Sequence, residues 1–212
     1  MDNVIVICAH SDDQIFGPGG TLAKFAKHGM NIYTVIFSFG ELSHPWFKQA
    51  VTSKMRIIES KEADKIINGK GVFFLGLDEG KFEEQFEKDG KEKLLNIIKQ
   101  HPPKIIFTHS EDDPLKDHRS VNKIVKTLMN ELKIRADIYS FDVWNIFDLK
   151  KDKYPKFVVD ISDTFSIKIA ALKVFKSQFI TMLSLLWSVY LRAFINGIKY
   201  KKKFVEVFYK IK

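Results

Sequence analysis

The feature that most constrains this chain is its alternation of short β-branched runs with helical stretches. Val4–Cys8 is a continuous apolar run, as a strand buried on both faces would be. A loop containing Gly17, Pro18, Gly19 and Gly20 follows. Thr21 to His28 then reads as a helix, with Leu22, Phe25 and Ala26 on one face and Gly29 as its stop. Ile32–Phe37, Val72–Leu75 and Ile105–Thr108 are further strands, separated by helices over Val51–Ile67 and Lys91–Gln100. Pro102-Pro103 blocks extension of the second helix. Arg119–Leu132 is helical, and Ile138–Val143, Phe157–Ile161 and Phe204–Tyr209 are strand candidates. Helices over Thr164–Phe175 and Phe179–Phe194 separate the last two.

Such alternation implies parallel pairing through right-handed crossovers. The expected fold is α/β: an open, mostly parallel, Rossmann-like sheet with helices on both faces. The 212 residues suit one core rather than two, and no repeat or low-complexity linker divides them. Residues 1–212 are therefore expected to form a single domain.

Cys8 is the one cysteine, which excludes an internal disulfide and a cysteine-based zinc site. It lies in the first apolar run and reads as a small core residue. Asp2 precedes that run with no basic segment, so no signal peptide is expected, and a cytoplasmic location is. The net charge of +8 favours anionic partners, but lysine is spread along the chain and a solvated surface accounts for it. No aromatic-glycine signature or zinc-finger spacing points to nucleic acid. Phe179–Leu191 carries no formal charge and ends at Arg192, short of the about 18 apolar residues of a spanning helix. A buried or interface helix is expected there. Core packing, a homo-oligomer contact and peripheral membrane contact beside the basic run Lys199–Lys203 all remain open.

In open α/β sheets, ligands bind beyond the carboxyl ends of the strands. Two polar clusters fall there: His10 to Gln14 after the first strand, and His109 to His118 after the fourth. His10 and Asp13 are three apart, so both can face one point, and His118 can supply a third ligand. A neighbouring carboxylate could serve as a general base. Spacing alone leaves a helix cap, a simple cation site and a catalytic zinc site all open.

The motifs narrow this. Ala9-His10-Ser11-Asp12-Asp13-Gln14 followed by Gly17-Pro18-Gly19-Gly20-Thr21 resembles the A-H-P-D-D-E and G-x-G-G-T signature of the LmbE-like (PIG-L) de-N-acetylases. Arg56-x-x-Glu59, Ala63 and Phe74-Leu75-Gly76-Leu77-Asp78 resemble the middle section of that family. Asp117-His118-Arg119 resembles the end of its H-x-D-H-R motif. Asp160-Ile161-Ser162, Lys168, Ala171-Leu172, Ser177-Gln178 and Val205-Glu206-Val207-Phe208 resemble its C-terminal pattern. The resemblance implies one LmbE-like domain that hydrolyses the acetamide of an N-acetylglucosamine-type sugar or glycolipid. It implies Zn²⁺, or another divalent metal, on His10, Asp13 and His118, with Asp12 as general base. It also implies that the glycines bring the backbone close to the site.

Three positions depart from the pattern. Ser11 replaces proline, Gln14 replaces glutamate, and Leu115 replaces the first histidine of H-x-D-H-R. That histidine would pair with Asp117 and help stabilise the tetrahedral intermediate. Its loss leaves Asp117 without that partner and predicts either a substitute donor or little turnover. His109 is the first candidate donor and His44 the second. The alternative to a deacetylase is a weak or inactive metal- and sugar-binding homologue.

Overall fold

The computed structural model describes residues 1–41, 49–144 and 154–212. Seven strands form one sheet in the order β3-β2-β1-β4-β5-β7-β6. They are β1 Asn3–Cys8, β2 Asn31–Ile36, β3 Gly71–Phe74, β4 Pro103–His109, β5 Asp137–Phe141, β6 Lys156–Asp160 and β7 Val205–Lys210. The first five pair in parallel, and β7 runs antiparallel to both β5 and β6. The sheet is thus mostly parallel and α/β, with each strand within two residues of its expected place. The insertion of β7 between β5 and β6 had no sequence signal, because hydrophobic period identifies strands and not their order.

The helices are α1 Asp13–Phe16, α2 Gly19–Lys27, α3 Gln49–Ile66, α4 Phe82–Gln85, α5 Lys91–Gln100, α6 Lys116–Glu131, α7 Phe165–Leu172 and α8 Phe179–Lys199. A π-helical turn, Phe86–Gly90, joins α4 to α5. One apolar core lies under α2, α7 and α8 and includes Val4, Val6 and Cys8 of β1. The other lies under α4, α5 and α6 and includes Ile5 and Ile7 of the same strand. β1 is therefore buried on both faces, as its unbroken apolar run requires. From β1 the chain first builds outward through β2 and β3, then crosses back to β4 on the other side. That reversal opens a crevice at the carboxyl ends of β1 and β4, where both polar clusters sit.

A buried ionic network locks the glycine loop to the far end of the chain. Lys168 Nζ donates to Glu206 Oε1 at 2.6 Å and to the carbonyls of Phe16 and Gly17 at 2.9 and 2.8 Å. Glu206 accepts the backbone N–H groups of Gly20 and Thr21 and the Thr21 hydroxyl. A Cβ on Gly20 would sit 2.7 Å from Ile161 and 3.1 Å from the Glu206 carboxylate, so glycine permits this approach. Gly20 thus fits the loop against Ile161 and Glu206, and Gly17 fits it against the Phe141 ring at the end of β5. Glu206→Ala would leave the Lys168 charge buried without its anion and orphan the Gly20 and Thr21 N–H groups. Such losses cost about 3–5 kcal/mol. A shift of the urea midpoint corresponding to under ~1 kcal/mol would contradict this.

Asp64, on α3, is buried and its Oδ1 has no hydrogen-bond partner among the described residues. Burial raises its carboxyl to about 6. The folded state therefore holds this proton more tightly than the unfolded chain. Stability falls as pH rises from about 4 through about 6, by roughly 3 kcal/mol, and is level above. Asp64→Asn should be more stable than the parent at pH above ~7 and lack this slope. Thermal unfolding across that window, with both proteins responding alike, would refute the assignment.

Candidate metal centre

The β1 carboxyl end turns directly into α1, whose start carries Asp12 and Asp13. Asp13 is the hub of the crevice. Its Oδ2 accepts the His10 backbone N–H at 2.7 Å, lies 3.6 Å from His10 Nδ1 and 3.2 Å from His109 Nε2. Its Oδ1 lies 3.4 Å from His118 Nε2. His10, Asp13 and His118 each place one ligand atom within 4.8 Å of the other two. The crevice thus gathers the three residues that sequence spacing and the family pattern singled out.

Each imidazole has a carboxylate on its other side. His118 Nδ1 is 3.0 Å from Asp113 Oδ1, and His10 Nε2 is 3.5 Å from Asp117 Oδ2. Burial opposes charge on His10, yet Asp117 and Asp13 raise it to about 10. Burial likewise opposes charge on His118, yet Asp13 and Asp113 raise it to about 9. Burial pushes Asp13 upward, but the facing imidazoles of His118, His109 and His10 hold its carboxyl well below the usual range. The result is one firm anion among imidazoles polarised by outer carboxylates, the usual arrangement around a ligated metal.

Asp12 has a different environment. It is buried, and Arg56 Nη2 stands 3.5 Å from its Oδ1. Burial raises its carboxyl, and Arg56 only partly offsets that. Arg56 is held by a bond from its Nε to Ser11 Oγ at 2.8 Å, which a proline at that position could not accept. Gly40, at φ +71°, would drive a Cβ to 2.4 Å from the Arg56 guanidinium, so glycine is needed there on two counts. Three residues along α3, Glu59 accepts the Ser177 N–H, tying that helix to the start of α8. Gln14 turns inward, its Nε2 donating to the Ser11 carbonyl at 2.9 Å.

A cleft of about 170 Å³ opens over the cluster, lined among others by His10, Asp12, Arg56, Glu79, Leu115 and His118. Leu115 caps the start of α6 and is 36% exposed, facing the cleft. A larger cavity of about 320 Å³ lies between α8 and β7, lined by Lys168 and Arg192. It contains no His/Asp cluster, so chemistry favours the smaller cleft.

His109 does not reach the cleft. It is fully buried and stacks on His118 with ring centroids 3.8 Å apart. Its Nε2 accepts the Ala9 N–H at 3.1 Å, and burial, with His118 beside it, pushes its pKa down to about 4. The ring is neutral and buried beside Asp13, poorly placed to donate to an oxyanion. His44 lies outside the described residues. Asp117 is not left alone by the leucine. It accepts the Gly80 N–H at 3.0 and 3.2 Å and faces His10.

Two residues escaped sequence reasoning. Asp113 has a usable signal, a carboxylate five residues before a candidate ligand histidine at a strand end. Glu79 directly follows the matched Phe74–Asp78 stretch, and nothing in its spacing marked it.

The sequence model of the family described as GlcNAc-PI de-N-acetylase (PIG-L) matches residues 5–129. The diacetylchitobiose deacetylase of Thermococcus kodakarensis is 24% identical over 207 residues, covering 91% of this chain and 76% of that one. The 4-oxalmesaconate hydratase of Pseudomonas putida is 29% identical over 119 residues, covering 53% of this chain and 45% of that one. Among solved structures, the 4-carboxy-2-hydroxymuconate hydratase of Pseudomonas putida shares the fold with a TM-score of 0.82. Its identity is 21%, over 100% of this chain and 97% of that one.

Proposed function

Because this chain belongs to the PIG-L family, we propose that it is a zinc-dependent hydrolase removing the acetyl group from an N-acetylglucosamine-type sugar or glycolipid. The observation that carries this reading is the convergence of His10, Asp13 and His118 beside a separate, buried carboxylate, Asp12. His118 Nε2 is buried without a hydrogen-bond partner among the described residues, so a cation there would satisfy it. Two imidazoles and one carboxylate suit zinc, and also accept Fe²⁺ or Co²⁺. When bound, such an ion supplies Lewis acidity, activating water near neutral pH and drawing charge from an amide carbonyl.

The chain's own groups divide the remaining work. Asp12 takes the proton of the attacking water on its carboxylate and returns it to the departing amine nitrogen. Its upward-shifted pKa suits that exchange. Arg56 fixes the Asp12 carboxylate in place. Asp113 and Asp117 orient His118 and His10, and the buried His109 ring stacks on His118. Glu79, half-buried on the cleft wall, can accept hydrogen bonds from sugar hydroxyls.

Leu115 favours a second reading, a metal- and sugar-binding protein with little turnover. Leucine donates no hydrogen bond at the cleft wall, and one missing donor of this kind costs about 10²–10³ in rate. A screen for amine release from N-acetylglucosamine, diacetylchitobiose and an acetylated glycolipid separates the two. An unsaturated dicarboxylic acid belongs in it, since one relative is a hydratase. Leu115→His should raise amine release at least ~10-fold. An unchanged rate would mean that a different donor already fills the gap.

A further inference from the structure

The helix expected to be buried or at an interface is apolar on two opposite sides. Leu185, Val189 and Ala193 of α8 pack into the core. On the other side Ile180, Leu183, Trp187, Tyr190, Phe194 and Ile198 stand 43–68% exposed. Their spacing of three and four residues makes one continuous stripe along a helix of about 31 Å. Such side chains together expose on the order of 800 Å², above the largest apolar patch of an ordinary monomer. No helix among the described residues is long and apolar enough to cross a membrane.

Charge identifies what covers the stripe. From Thr164 to Val205 the chain has eight Lys and Arg residues and no Asp or Glu. The rest of the chain carries 26 of each sign, so this segment holds the entire net charge of +8. Lysine is spread along the whole chain, but in this segment no carboxylate balances it. Exposed Lys173 and Lys176 precede the stripe, and exposed Lys199, Lys201, Lys202 and Lys203 follow it. A second copy of the chain is a poor partner. Antiparallel pairing of two α8 helices would set one lysine cluster on the other, and parallel pairing would set each on itself.

We propose that α8 docks on an anionic membrane surface, its apolar stripe entering the interface and its flanking lysines meeting acidic headgroups. A helix lying in the interface uses apolar area and basic flanks together in this way. This docking stands independently of the chemistry assigned to the cleft.

The test is co-sedimentation of the full chain with vesicles of phosphatidylcholine, with and without about one third phosphatidylglycerol, at about 0.1 M salt. Strong binding to the anionic vesicles alone is expected, with Trp187 fluorescence quenched by brominated acyl chains. Leu183→Glu with Phe194→Glu should lower partitioning at least ~10-fold, as should Lys199→Gln with Lys201→Gln and Lys203→Gln. Circular dichroism confirms that each variant is folded. Equal binding to both vesicles, binding to neither, or a dimer dissociated by the glutamate pair would overturn the proposal.

Discussion

Purified Asp13→Ala protein is expected to bind divalent metal at least ~100-fold more weakly than the parent. Loss of an outer-shell partner alone costs about 10–100-fold in metal affinity, and Asp13 is assigned as a direct ligand. It is also the group that the other ligands share. His118 Nε2 and His10 Nδ1 face its two oxygens, and its Oδ2 anchors the His10 backbone. Alanine removes the anion and leaves buried imidazoles facing one another, with His10 and His118 drawn to the outer carboxylates Asp117 and Asp113. Metal content of the purified variant checks this. Full occupancy would remove Asp13 from the ligand set.

Asp12→Asn should behave in the opposite way, keeping its metal and losing hydrolysis. The substitution preserves shape, and Asp12 contributes no atom to the candidate ligand cluster. What it deletes is a proton acceptor, and general-base loss typically costs about 10²–10⁴ in rate. Arg56 would then lack the Asp12 carboxylate as its ion-pair partner, though its bond to Ser11 remains. Equal metal content with a rate within ~3-fold of the parent would exclude Asp12 as the base.

These two variants separate features that were unequally visible beforehand. That His10, Asp12, Asp13 and His118 would meet was legible because strand ends in an open α/β sheet converge on one crevice, whereas the role proposed for each rests on the family resemblance. The strands themselves were legible because unbroken apolar runs such as Val4–Cys8 have few other solutions. Asp113 was missed because its contact is with the Nδ1 of His118, a pairing that motif spacing does not express. Glu79 was missed because its place in the cleft depends on how the chain folds after β3. His109 looked like a donor from its position, and the fold instead seals it under Asp13. Ser11 was legible only as a departure from the family's proline. Its hydroxyl accepts the hydrogen bond that seats Arg56 against Asp12, a contact visible only once α3 folds over the turn that follows β1. Position 115 was legible as a gap, and the structure adds that the leucine faces the cleft.

The most direct test of metal-dependent hydrolysis is to strip the protein with a chelator and add zinc back while following amine release. The substrate is the best N-acetyl sugar from the screen. The expected result is no release from the stripped protein, recovery that saturates near one zinc per chain, and no recovery in Asp13→Ala. Full amine release from the stripped protein, or equal recovery in Asp13→Ala, would contradict it.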